Sequence, residues 1–350
     1  MKYSSIIVDE LTLTRSSKFI PRCIILAFIT GFLFYGFYSV VKVPVNGLTS
    51  GHFESSGDPL CDCFQDTAQL DKQIVFYNRV PKCGSTTLIA LMRKLATLNN
   101  FKHIHSKIYN RRKVDEEEQR RIVKWVESTS SPCSLDRHVF FINFTKFGER
   151  PPIYINVIRD PVERIISSFF YRRMVARQNK TSVKPSAYWL NKKFEHCVLA
   201  GDPECTLVEG QNNTLLQLPY FCGQDSICQN INDPDAVLKA KQNIEKYYAV
   251  VGTLEEMNIT LQVLEATLPQ FFKRAFQIYH NSGYHLNQNV QKGFVKEEVK
   301  ALLKANLTAE YDLYYFVQQR LHKQYQKLSE SRQNVENEAL FEQIDEMLNW

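Results

Sequence analysis

Residues 79–87 read Arg-Val-Pro-Lys-Cys-Gly-Ser-Thr-Thr. Gly84, Ser85, Thr86 and Thr87, leading into a helix, would present backbone N–H groups and hydroxyls to an anion, and Lys82 adds a point charge just before the turn. The order excludes a Walker loop, in which the lysine follows the second glycine and neighbours the Mg2+-binding hydroxyl. A kinase or ATPase reading thereby loses its main support. A second element, Arg159-Asp160-Pro161-Val162-Glu163-Arg164-Ile165-Ile166-Ser167, joins the end of a strand to the start of a helix. Arg159 at the strand end suits bidentate phosphate contact. Ser167, about two helical turns on, can face the same groove. Taken singly, each element has a plainer reading: a capped turn with a surface lysine, and an arginine paired with a carboxylate.

Such residues need a scaffold that delivers both loops to one edge, and the patterning from Gln73 onward supplies one. Ile74-Val75-Phe76-Tyr77 is a short apolar strand, followed by a helix with Leu88, Leu91, Met92 and Leu95 at i, i+3, i+4, i+7. A second helix opens at Asp115 with a run of glutamates, favourable at a helix N-terminus, and presents Ile122, Val123 and Val126 on one side. Pro152–Ile158 forms a strand that runs into Asp160 as cap and Pro161 as first helical residue. Tyr248–Gly252 is a further strand, leading to a helix with Leu261, Leu264 and Leu268. Strand–loop–helix alternation predicts an α/β domain whose parallel sheet carries its ligand at the strand C-terminal ends. Past Ala309 the chain reads helical and ends in an acidic tail with Leu340, Phe341, Ile344 and Leu348 on one face.

The 350 residues are 44% hydrophobic and 12% aromatic, which excludes a disordered chain. One long uncharged apolar run, Cys23 to Val41, excludes a multi-span membrane protein. At about 1.5 Å per residue that run spans one hydrocarbon core, and it exceeds the ~7–15-residue apolar region of a cleaved signal peptide. Lys2, Arg15, Lys18 and Arg22 precede it, against Asp9 and Glu10, which keeps the N-terminal end cytoplasmic and places the remainder in the secretory lumen. Pro44, Gly47, Gly51, Gly57 and Pro59 mark a stem without helical or strand period. The expected organisation is a cytoplasmic tail (1–22), a transmembrane signal anchor (23–41), a luminal stem (42–72), one globular domain (73–328) and the acidic helical tail (329–350).

Half of the net charge of +6 lies before residue 43, leaving 38 basic against 35 acidic residues beyond it. That balance is too even for a nucleic-acid footprint, so no nucleic-acid partner is expected and any anion must be held by local clusters. Eight of the nine cysteines lie beyond the anchor, in a disulfide-permissive compartment. Cys197 and Cys205 are eight apart and Cys222 and Cys228 six apart, spacings that suit short loop-closing bridges. No histidine falls at finger or zincin spacing and no CxxC occurs, so no metal site is expected. Asn143, Asn179, Asn212, Asn258 and Asn306 head glycosylation sequons.

Together the two anion loops look like the 5′-phosphosulfate and 3′-phosphate loops of sulfotransferases that use 3′-phosphoadenosine 5′-phosphosulfate (PAPS). YNRVPKCGSTT, RHVFFINFTKFG, IYINVIRDPVERIISSFFYRR, LPYFCG and VGTLEE, in this order, resemble the uronosyl 2-O-sulfotransferases of glycosaminoglycans: heparan sulfate 2-O-sulfotransferase, uronyl 2-O-sulfotransferase and the Pipe-like enzymes. The likeness covers about Ile74 to Leu268, with weaker helical similarity to Gln326. Heparan sulfate enzymes carry His-x-His where this chain has Asp136-Arg137-His138, which sets it closer to the uronyl or Pipe-like branch.

The resemblance implies a single α/β domain with a P-loop-kinase-like parallel sheet, a homotrimer, and a single-pass type II protein of the Golgi membrane. It implies PAPS as cosubstrate without a metal, and a glycosaminoglycan or glycoprotein glycan as acceptor. Carried over by position, Lys82, Gly84, Ser85, Thr86 and Thr87 match the 5′-phosphosulfate loop, and Arg159 and Ser167 the 3′-phosphate ligands. His138 matches the catalytic base, with Lys82 beside the leaving group. Arg79, His105, Arg172 and Arg173 match the acceptor-side basic residues. The implied reaction moves a sulfuryl group to the 2-OH of a uronic acid. A catalytically silent sulfated-glycan binder on the same fold is the alternative, against which the intact Lys82, His138, Arg159 and Ser167 argue.

Overall fold

A computed structural model of the chain describes residues 71–109, 111–178, 185–209, 214–281 and 293–348. The expected anchor, the expected stem up to residue 70, Cys61, Cys63, Asn179 and Asn212 lie outside them, while 71–72, expected in the stem, open the first strand. Among the described residues no helix is long and apolar enough to cross a membrane.

Five strands form one parallel sheet: β1 (Asp71–Tyr77), β2 (Lys102–His105), β3 (Cys133–Asp136), β4 (Pro152–Ile158) and β5 (Tyr248–Thr253), in spatial order β2-β3-β1-β4-β5. After β1 the chain crosses toward β2, whereas after β4 it continues the other way to β5. The connections therefore diverge between β1 and β4, and in such sheets the crevice at that point is where ligands bind. The loops leaving these two strands are the ones that sequence singles out, 78–84 and 159–160.

The side chains of β1 alternate between two apolar layers, as a strand period of two requires. Ile74 and Phe76 join Tyr154, Ile158, Val123 and Phe144 on one face. Val75 and Tyr77 join Ile153, Ile155, Leu88 and Leu95 on the other. Helix α1 (Ser85–Leu98) buries Leu88, Leu91, Met92 and Leu95, the residues whose spacing predicts it. Helix α2 (Glu116–Glu127) starts at Asp115, whose carboxylate accepts from Glu118 N–H at 2.8 Å, and buries Ile122, Val123 and Val126. Helix α3 (Pro161–Gln178) follows β4 directly, and Asp160 Oδ1 accepts from Glu163 N–H at 2.9 Å.

Helices α4 (Pro234–Tyr247) and α5 (Met257–Thr267) flank β5 in sequence, and α6 (Glu297–Ala305) precedes α7 (Thr308–Leu348). Gly252 near the end of β5 lets α5 approach: a Cβ there would collide with the Thr260 side chain. The backbone helix of α7 is unbroken across the boundary expected at residue 328, and the tail side chains Leu340, Phe341, Ile344 and Leu348 lie outside the described ones. Two strands, β2 and β3, join the sheet where the sequence pattern offered none. β3 is Cys-Ser-Leu-Asp, polar in composition yet buried at all four positions.

Both disulfides occur as the spacings predict, Cys197–Cys205 and Cys222–Cys228. Asn143, Asn258 and Asn306 are exposed.

Candidate active site

The loop after β1 turns sharply. Lys82 adopts φ +69° and Gly84 φ +74°, so two left-handed residues bracket Cys83. The glycine is required on a second count, since a Cβ at 84 would lie 2.7 Å from Leu254 Cδ1. Gly84 caps α1 without any side-chain hydrogen bond, which leaves the first-turn N–H groups of a 14-residue helix directed at whatever lies before it. Ser85 and Thr87 are nearly buried in this turn, and Thr86 is exposed.

The Lys82 ammonium rests 3.4 Å from the centre of the Tyr171 ring and forms no ion pair among the described residues. Burial, with the charge of Arg159 adding to it, lowers its pKa to about 8. Cys83 is fully buried, its thiol pushed up to about 12 by that burial, so it is a loop-packing residue and no thiolate.

Across the crevice Arg159 ends β4. Its guanidinium lies 3.6 Å from Glu163 and 3.8 Å from Glu255, so the carboxylate pairing left open by sequence is present, at long distances. Burial raises the Glu255 carboxyl above its ordinary value, against the opposing pull of the Arg159 charge. Ser167 is half-buried two turns into α3.

The third group gathers at the ends of β1, β2 and β3. Asp136, with no exposed surface, faces Arg79 Nε at 2.8 Å, His105 Nδ1 at 2.9 Å and His103 Nε2 at 3.2 Å. Burial alone would raise this carboxyl. The His103 hydrogen bond, the Arg79 charge and the His105 hydrogen bond outweigh it and hold the carboxyl below its ordinary value. His105 Nε2 lies 3.0 Å from the Tyr109 hydroxyl, and the Tyr109 ring stands 6.2 Å from that of His138 and 5.5 Å from the Arg79 guanidinium.

His138 Nδ1 lies 2.8 Å from the Arg79 carbonyl. A carbonyl only accepts, so Nδ1 carries the proton and Nε2 keeps its lone pair. Burial first, then the Arg79 charge, lowers the His138 pKa to about 4. Two backbone bonds, Arg79 N–H to Arg137 C=O at 3.0 Å and Arg137 N–H to Tyr77 C=O at 3.1 Å, stitch the His138 segment to the loop after β1.

The sequence-predicted residues therefore divide. Arg79 and His105 meet on Asp136, His138 joins them through the Arg79 carbonyl, and Lys82 stands three residues after Arg79 in the same loop. Arg172 and Arg173 do not join them. Arg173 is 2% exposed, forks onto Glu204 with two 3.0 Å bonds and stacks on Phe169 and Trp189. Arg172 donates to the Glu204 carbonyl at 2.6 Å. The Arg173 guanidinium is thus engaged within the fold, where burial demands a carboxylate partner, and it does not gather with Arg79 and His105. His103, Asp136 and Tyr109 were missed as members of the cluster. The alternation in Lys-His-Ile-His places His103 and His105 on one strand face and was the available signal.

A helix terminus without a side-chain cap and a strand-end arginine at the switch point, with an imidazole on the neighbouring loop, form an arrangement able to hold an anionic group. Residues 65–317 match the sulfotransferase family, and the chain belongs to it. Among its relatives, the chain is 35% identical over 298 residues to the uronyl 2-sulfotransferase homolog pip of Drosophila melanogaster (80% of this chain, 58% of that protein). It is 34% identical over 258 residues to uronyl 2-sulfotransferase of Homo sapiens (71% and 62%) and 34% over 236 residues to heparan sulfate 2-O-sulfotransferase 1 of Xenopus laevis (66% and 65%). The chain thus spans about three fifths of the length of the first of these relatives.

Proposed function

We propose that the protein moves the sulfuryl group of PAPS to the 2-OH of uronic acid residues in a glycosaminoglycan or related glycan. On the sequence reading of residues 23–41 it does so as a type II protein of the Golgi membrane. The observation that carries this reading is the shared loop: the Arg79 carbonyl fixes the His138 tautomer three residues before Lys82, so base and leaving-group cation are held by one turn. The N–H groups of α1, with Ser85, Thr86 and Thr87, would hold the 5′-phosphosulfate, and Arg159 and Ser167 the 3′-phosphate.

In the proposed step the acceptor hydroxyl gives its proton to His138 Nε2 as its oxygen bonds to sulfur. The bond from sulfur to the bridging oxygen breaks, and adenosine 3′,5′-bisphosphate leaves. A base that is already neutral at physiological pH needs no prior deprotonation. Lys82 neutralises the charge gathering on the bridging oxygen, a contribution typical of preorganised cations in such transfers. Arg79 and His105, tethered by Asp136, would meet the acceptor carboxylate.

The test uses the full-length chain in detergent with radiolabelled PAPS and desulfated dermatan, chondroitin, heparan sulfate or a glycoprotein extract as acceptors. Label at a uronic acid 2-OH, lost in folded His138→Ala and Lys82→Ala variants, is the expected result. Incorporation unchanged by both substitutions would sink the mechanism. Glycan binding without any nucleotide affinity would establish the silent binder instead.

A further inference from the structure

Gln217, 1% exposed, lies between the two anion loops and bonds to both. Its amide oxygen accepts from Arg159 N–H at 3.1 Å and from the Cys83 thiol at 3.3 Å. Its amide nitrogen donates to the Arg159 carbonyl at 2.8 Å. One side chain thus takes both backbone groups of the residue that ends β4, as a neighbouring strand would, while holding the centre of the Lys82–Gly84 turn.

Gln217 is itself anchored from α7. The Glu310 carboxylate, 3% exposed, accepts from Gln217 N–H at 2.9 Å through either oxygen and from Leu218 N–H at 2.9 Å. The same two turns of α7 reach the strand end again: Tyr311 donates to Asp160 Oδ2 at 2.9 Å and Tyr314 to Glu255 Oε2 at 3.3 Å. Arg164, 1% exposed, braces the turn from behind with Nη1 at 3.4 Å from the Pro81 carbonyl.

Resting on the donor-site reading above, we infer that Gln217, anchored by Glu310, is a positioning residue that sets the spacing between the 5′-phosphosulfate turn and Arg159. The start of α7 then belongs to the donor site. The physical reason is specificity. A buried amide with its oxygen and nitrogen both engaged tolerates no alternative arrangement, so the distance between the two loops is fixed before the nucleotide arrives. A bisphosphate whose two ends match that distance gains from both; a nucleotide lacking the 3′-phosphate gains from the turn alone.

The experiment measures binding of adenosine 3′,5′-bisphosphate and of adenosine 5′-phosphate to the full-length chain in detergent by titration calorimetry. The ratio of the two affinities reports the 3′-phosphate. Arg159→Ala is expected to collapse the ratio. Gln217→Met, close in size but unable to bond, is expected to lower the ratio about tenfold and to leave adenosine 5′-phosphate binding within about threefold of the parent. The Arg159→Ala/Gln217→Met double variant is expected to match Arg159→Ala alone.

A parent-like ratio in folded Gln217→Met, an equal loss for both nucleotides, or additive losses in the double variant would each overturn the coupling and leave the donor site standing. A parent protein that does not prefer the bisphosphate overturns the donor-site reading and the coupling with it. If Gln217→Met does not fold, Glu310→Gln decides, since it keeps the shape and weakens the anchor. A ratio about threefold lower supports the coupling, and an unchanged ratio overturns it.

Discussion

Acidification distinguishes this imidazole from an ordinary one. His138 is held at about 4 against 6.5 for a free histidine, by burial and by the Arg79 guanidinium. At pH 5.5 an unperturbed histidine is only about 10% neutral, whereas one titrating near 4 is about 97% neutral, a tenfold difference in available base. Histidine-selective 13C labelling, with His138→Gln to assign the signal, reads the protonation directly in the nucleotide-free protein. The expected signal keeps its neutral position to about pH 5 and moves with a midpoint near 4.

The rate should follow: at saturating PAPS, kcat/KM for the acceptor at pH 5.5 stays within about twofold of its value at pH 7 instead of falling tenfold. The stability sign is fixed by the same shift. The native state binds fewer protons than the unfolded chain between the two values, so the His138 contribution is intact above about 6.5 and erodes as pH falls toward about 4. A midpoint at or above 6 in a folded protein would refute the burial argument, and with it the neutral-base assignment.

The opposite limb belongs to Lys82. With its pKa lowered to about 8, roughly one molecule in ten keeps the ammonium at pH 9, so adenosine 3′,5′-bisphosphate binding should weaken from pH 7 to 9. Lys82→Arg should flatten that dependence, and calorimetry at three pH values checks it; a parent protein with constant affinity would contradict the shift. Arg173→Ala should cost about 3 kcal/mol in denaturant unfolding by removing the near, bidentate partner of the Glu204 carboxylate and leaving it Arg172 at 3.7 Å and Lys192 at 4.0 Å, with acceptor KM unchanged in whatever remains folded. Normal stability with a raised KM would restore Arg173 to the acceptor surface.

Local pattern reached as far as local physics does. The turn 79–87, the Asp160-Pro161 helix start and the apolar periods of α1 and α2 are governed by residues within one or two turns of one another, and the structure has them where the pattern puts them. The Cys197–Cys205 and Cys222–Cys228 bridges are short-range as well. Strand β3 is the counter-case. Cys133-Ser134-Leu135-Asp136 has no apolar alternation, and it is a strand because β1 and β2 pair with it on both sides. A carboxylate can sit at its end because Arg79 arrives from β1 and His103 and His105 from β2.

Buried charge makes the same point from both directions. Arg173 and Arg79 look alike in a motif, each a cation beside a conspicuous run, and each is nearly buried. Arg173 is spent on Glu204 and two aromatic faces within its own flank of the fold. Arg79 pairs with Asp136, but its carbonyl aims His138 and its guanidinium lies beside the exposed Tyr109 ring at the sheet edge. What distinguishes the two cations is thus the location of the counter-charge, Glu204 on a loop after α3 or Asp136 at the C-terminal end of β3. Neither location is encoded near the arginine. Gln217 carries this furthest: nothing in Leu-Gln-Leu-Pro marks it, and its importance follows wholly from Cys83, Arg159 and Glu310, which lie 134, 58 and 93 residues away. Residues that make a donor site are legible when they touch the donor. Those that set the distance between its halves become visible only once the chain has folded around them.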